Sequence, residues 1–71
     1  MTSLVTSPDT LRRFRIFKGF KQQTVANKLG ISQPAFCKQE QGNYISEKRV
    51  IQILTILNSN LDELKAFEKL M

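Results

Sequence analysis

Apolar residues recur at helical spacing along most of the chain, in blocks separated by Gly, Asn and Ser. The densest information lies from Gln22 to Gln41, QQTVANKLGISQPAFCKQEQ. Val25 and Leu29 are one turn apart, Ala26 is small enough for a close helix crossing, and Gly30 can take the positive φ that ends a helix. Ile31 follows the turn, Ser32 is placed to cap a second helix, and Phe36 recurs on its inward side. Gln33, Pro34, Cys37 and Lys38 then fall at i, i+1, i+4 and i+5, on one face expected to be exposed. Two short helices with a tight turn between them and a polar outer face are expected of a DNA-binding helix-turn-helix spanning 22–41.

The rest of the chain supplies a frame for that pair. Ser7-Pro8-Asp9 predicts a helix start: an N-cap, a proline at the first helical position and a carboxylate at the positive helix end. This helix is expected from about Pro8 to Lys18, ended by Gly19, with Leu11 and Phe14 sharing a face with Arg15 and Lys18. Ile16 and Phe17 lie off that face. Core packing against a neighbouring helix is the preferred assignment for them, and a contact surface the alternative. Phe20 is expected to plug the gap before the helix at Gln22–Leu29. A third helix is expected over Gln33–Gln41, where Pro34 sits harmlessly in the first turn. Gly42 to Ile45 reads as a turn, and Ser46 caps a fourth helix reaching about Asn58, with Val50, Ile53, Leu54 and Leu57 inward. Asn60 with Glu63 resembles a capping box opening a last helix to about Lys69, with Leu61, Leu64, Phe67 and Leu70 on its apolar edge. Residues 1–6 are weakly patterned, so Leu4 and Val5 are open to packing, to a partner or to fraying. The expected fold class is all-α, a compact domain of five helices covering residues 1–71.

Composition narrows the setting. A chain of 71 residues with 41% hydrophobic content can bury one small core. It holds no apolar run near the roughly 18 residues of a membrane span, and no basic-then-apolar leader. One cysteine and no histidine leave no internal disulfide and little for a metal, so no cofactor is expected and a reducing cytoplasm is the simplest location. The same lack of histidine, of a base beside Cys37 and of paired carboxylates argues against an enzyme. For Cys37 itself, a small filler is preferred over a redox switch.

Charge sharpens the functional expectation. The net charge is +5, and from Thr10 to Gln39 the charged residues are Arg12, Arg13, Arg15, Lys18, Lys21, Lys28 and Lys38, without a carboxylate. Acids gather later, at Glu40, Glu47, Asp62, Glu63 and Glu68. Such asymmetry favours a polyanion against the first half of the chain.

The sequence Leu11-x-x-Phe14-Arg15…Gly19-Phe20-x-Gln22-x-x-Val25-Ala26-x-x-Leu29-Gly30-Ile31-Ser32-Gln33…Phe36…Glu40-x-Gly42 resembles the Cro/phage-repressor (Xre) helix-turn-helix family. Leu57…Leu61-Asp62-Glu63-Leu64 is similar to that family's closing helices, so the resemblance covers roughly residues 8–65. It implies a five-helix, lambda-repressor-like domain that binds double-stranded operator DNA as a homodimer.

The resemblance also implies roles for particular residues. Gln33 matches the first base-reading position, where a glutamine amide can pair with adenine N6 and N7. Pro34, Cys37 and Lys38 would join it in the groove. Lys21, Gln22, Gln23, Ser32, Asn43 and Tyr44 are candidates for contacts to the DNA backbone, with Gln22 at a phosphate. Arg15 and Glu40 match an ion pair tying the first helix to the third. Apart from the resemblance, the place of Phe67, Leu70 and Met71 at the chain end, and of Ile16 and Phe17 off the inner face of the first helix, makes them candidates for a dimer or partner surface or for core closure. Three departures from the pattern stand out: Lys21 where a serine or threonine often caps, Gln39 where an apolar residue is usual, and Pro34 in place of a polar reader.

Three uses of such a domain compete. A free-standing transcriptional regulator, typically a repressor, fits the bare domain. An antitoxin that represses its own operon and also grips a toxin protein fits the spare apolar residues. A protein-interaction module without DNA binding fits the basic stretch least well.

Overall fold

A computed structural model of the chain describes residues 7–42 and 44–70. The expectations placed on Leu4, Val5, Asn43 and Met71 lie outside the described residues. Five helices follow in order: α1 (Pro8–Phe17), α2 (Gln22–Leu29), α3 (Gln33–Gln41), α4 (Glu47–Ile56) and α5 (Leu61–Leu70).

Their starts are written in short polar side chains. The hydroxyls of Ser7, Ser32 and Ser46 accept from the backbone N–H of Thr10, Ala35 and Arg49, satisfying donors that the first helical turn leaves open. Pro34 lies in the first turn of α3, as its missing N–H requires. At the N-cap of α2, Lys21 makes no side-chain cap. The start of α5 is half of the expected box: Asn60 Oδ1 accepts from the Glu63 N–H at 2.9 Å, but the Glu63 carboxylate is taken by the Ser59 hydroxyl.

The ends of α1, α2 and α4 share one device. Gly30 adopts φ +79°, and the Ile31 N–H reaches back to the Ala26 carbonyl, which turns the chain tightly from α2 towards α3. Gly19 (φ +85°) and Asn58 (φ +58°) close α1 and α4 with the same reach-back, by Phe20 and by Ser59. Because Asn58 takes the left-handed conformation, α4 stops at Ile56 rather than near Asn58. Likewise Lys18 caps α1 instead of extending it, and α5 runs one residue past Lys69.

The core is assembled from one stripe per helix: Leu11 and Phe14, Val25 and Ala26, Phe36, then Val50, Ile53, Leu54 and Leu57, and Leu64, closed by Ile45. α2 packs on α3 and α4, and α1 on α3 and α5. Phe36 and Ala26 are fully buried, which fixes α3 against the rest of the molecule. Phe20, Leu29, Ile31, Leu61 and Phe67 pack around this centre.

Ile16 and Phe17 do not join the core. α1 turns Pro8, Leu11, Phe14 and Arg15 inward, a stripe too narrow to include them, and they stand 53% and 66% exposed. Phe17 instead rests on Phe14 and on Phe67, with ring centroids 6.2 and 5.2 Å away.

Candidate nucleic-acid interface

The outer face of α3 consists of Pro34, Ala35, Lys38 and Gln41, all exposed. Phe36 and Glu40 mark the opposite, buried face. Gln33 and Cys37, expected beside Pro34 and Lys38 on the exposed face, are half-buried at its edge. Gln33 is held there by its bond to Gln22 at the start of α2, and Cys37 lies one turn further along the same side of α3. Ala35 and Gln41 share the outer face and were not singled out by the residue pattern, since neither carries charge or bulk. Lys21, Gln23 and Ser32 are exposed around the α2–α3 unit, as is Tyr44 beyond it, at 77%. Gln23 donates to Asn27 along α2, and Ser32 is occupied as the cap of α3.

Behind the outer face lies a polar chain running from the interior to the surface. Arg15 Nε donates to Glu40 Oε2 at 2.7 Å, and its Nη2 to Oε1 at 3.2 Å. A third guanidinium nitrogen, Nη1, donates to the Phe20 carbonyl, so Arg15 ties α1, the α1–α2 loop and α3 together. Both residues are only 6% exposed. Gln22 Nε2 donates to Glu40 Oε1 at 2.7 Å, and Gln22 Oε1 accepts from Gln33 Nε2 at 2.6 Å. Gln22 therefore keeps one N–H for an outside acceptor such as a phosphate oxygen. Sequence spacing pointed to the Arg15–Glu40 pair only through the family resemblance, and the Gln22 link to both Glu40 and Gln33 was missed.

The ion pairs redraw the charge pattern. The acid-free stretch from Thr10 to Gln39 is flanked by Asp9 and Glu40, and both fold back onto it. Asp9 pairs with Arg12 and Arg13 at 3.5 and 3.1 Å, and Glu40 takes Arg15. Among the described residues, Lys21, Lys28 and Lys38 enter no ion pair and remain exposed. From Gln22 to Gln41 the single carboxylate is Glu40, and it is buried. The surface of the α2–α3 unit thus carries positive charge unopposed by exposed acid, a field suited to phosphate.

A second feature lies between α1 and α5. Phe14, Phe17, Lys18, Glu63, Ala66, Phe67 and Leu70 line an open groove of about 240 Å³. Leu70 is 82% exposed at its edge, whereas Phe67 is half-buried against the core. Among the described residues no cluster of His, Cys, Asp or Glu is placed to hold a metal ion, and no helix is long and apolar enough to cross a membrane. Comparison with protein-family models, with curated proteins and with solved structures finds no match for this chain.

Proposed function

We propose that this protein is a sequence-specific DNA-binding transcriptional regulator, a repressor of the Cro/phage-repressor kind acting in the cytoplasm. On this reading α2 and α3 are its helix-turn-helix, and α3 enters the major groove. The observation that carries it is the α2–α3 surface: exposed lysines, no exposed carboxylate, and an outer α3 face held rigidly by Phe36 within and by the Arg15–Glu40 pair behind. Gln33 reads a base from the amino end of α3, Pro34 and Ala35 offer apolar contact, and Lys38 reaches a guanine or a phosphate. Lys21, Lys28 and the remaining Gln22 N–H hold the backbone and set the register.

Two copies related by a twofold axis would meet half-sites about 34 Å apart, one turn of B-DNA. The exposed apolar residues for that contact are Ile16 on α1 and, lining the groove between α1 and α5, Phe17 and Leu70.

The same exposed residues favour a second reading, an antitoxin that represses its own operon and grips a toxin protein. A protein that co-purifies with the wild-type chain and is released by a polar substitution at Phe17 would select that reading.

Fluorescence anisotropy on random and on selected duplexes across a salt series tests the primary reading. Binding should weaken linearly in log salt, and one selected sequence should bind at least tenfold tighter than random DNA. A chain that binds no duplex at 50 mM salt would not be a DNA-binding regulator.

A further inference from the structure

We propose that the groove between α1 and α5 binds a free aromatic amino acid, its ring against Phe14, Phe17 and Phe67, its carboxylate at Lys18 and its ammonium at Glu63. The site lies apart from the α2–α3 surface and does not depend on the DNA-reading function proposed above.

The apolar wall of the groove is preorganised. Phe67 packs on Phe14 and on Phe17 with ring centroids 5.2 Å away in both pairs, and Phe14 and Phe17 stand 6.2 Å apart. Phe14 belongs to the core and anchors the other two rings. Ala66 lines the same groove, and its single methyl leaves room beside the rings. The groove volume of about 240 Å³ lies below the roughly 300 Å³ at which pockets for drug-sized ligands begin, a size suited to one amino-acid side chain.

Two opposite charges flank that wall. Lys18 is half-buried at the carboxyl end of α1, and Glu63 is exposed in the first turn of α5. They do not pair with one another. Among the described residues Lys18 enters no ion pair, and the Glu63 carboxylate takes only the Ser59 hydroxyl. A purely apolar partner laid over the groove would take both charges out of water without a counter-ion, which is costly. A zwitterion with an apolar side chain meets each feature: a carboxylate for the Lys18 ammonium, an ammonium for the Glu63 carboxylate, and a side chain for the wall. An aromatic side chain suits this wall better than an aliphatic one, since tilted ring pairs gain beyond their buried area. On the dimer proposed above, the ligand would also cover the groove side of Phe17 and Leu70 and so compete with the second copy.

NMR titration of the full chain, without DNA, tests the site. The probes are L-phenylalanine, L-leucine, glycine, 3-phenylpropionate (no ammonium) and phenethylamine (no carboxylate). L-Phenylalanine should shift the resonances of Phe17, Ala66 and Phe67 and saturate with a Kd of about 1 mM or tighter. L-Leucine should bind more weakly, and glycine should shift none of them. Lys18→Met should weaken L-phenylalanine about two- to fivefold, the scale of an ion pair at a wet rim, and leave phenethylamine unchanged. Glu63→Gln still accepts from Ser59; it should weaken L-phenylalanine by a similar factor and leave 3-phenylpropionate unchanged. Ala66→Leu fills the groove from an exposed helix position and should abolish binding without unfolding the chain.

Groove resonances that stay unmoved at about 10 mM L-phenylalanine, tenfold above that Kd, overturn the inference. So does equal binding of L-phenylalanine by the wild type and a folded Ala66→Leu chain. If the groove is silent to every probe while Lys18→Met and Glu63→Gln each weaken self-association, a second copy fills it and the inference fails. None of these results touches DNA binding, and a chain that binds no duplex would leave the titration as expected.

Discussion

Arg15 and Glu40, 25 residues apart in the chain, form a two-point ion pair in the interior, with side chains 7% and 3% exposed. Each satisfies the other's buried charge, so removing one is worse than removing both. Glu40→Ala should destabilise the fold by about 3–5 kcal/mol, whereas Arg15→Met combined with Glu40→Leu should lose much less. Urea unfolding of the three proteins checks this. A Glu40→Ala loss below about 1 kcal/mol would mean that the pair is solvated in solution.

Lys21 occupies a cap position with extended backbone (φ −87°, ψ 153°) but cannot satisfy the α2 N–H groups. Lys21→Ser should raise stability by about 0.5–1 kcal/mol, read as a higher thermal midpoint. It should also weaken binding to every duplex and reduce the salt slope by about 1, because a phosphate contact is lost. Equal affinity of the two proteins across the salt series would remove Lys21 from the interface.

Gln39 is half-buried in α3, and its Oε1 is buried without a hydrogen-bond partner among the described residues. An unsatisfied oxygen of this kind costs about 1–3 kcal/mol. Gln39→Met keeps the length of the side chain and should stabilise the protein by about 1 kcal/mol in the same denaturation assay. A neutral or harmful effect would show that the amide finds a partner in solution.

Phe17 is 66% exposed, so Phe17→Ser should change monomer stability little, apart from its ring contacts with Phe14 and Phe67. On the dimer proposed above, sedimentation should nonetheless show a shift towards monomer, and affinity for a two-half-site duplex should fall by a larger factor than affinity for a single half-site. An unaltered sedimentation profile would place the dimer contact elsewhere.

The helices were legible because their boundaries are local chemistry: Ser7, Ser32 and Ser46 each cap within three residues, Gly30 caps α2, and Gly19 turns the chain just past the cap of α1. Asn58 shortened α4 because a left-handed asparagine is less visible than a glycine. Ile16 and Phe17 defeated the pattern, since hydrophobicity says that a residue gains from burial without saying that α1 has room on its inner stripe. The Arg12 and Arg13 pairing with Asp9 lies at i, i+3 and i, i+4 and was readable, but a window opened at Thr10 leaves Asp9 out. The Gln33–Gln22–Glu40 chain spans separations of 11 and 18 residues, and periodicity within single helices carries no information about such distances.

Among the described residues, every exposed and unpaired cation from α1 to the end of α3 is a lysine, because the arginines there are tied to Asp9 and Glu40. An ammonium head imposes no planar fork and slips readily from one oxygen to the next. On the function proposed here, the chain would glide along duplexes loosely, giving fast search and poor retention. Pausing would then fall to the α3 tip, where a single amide decides whether the ride ends.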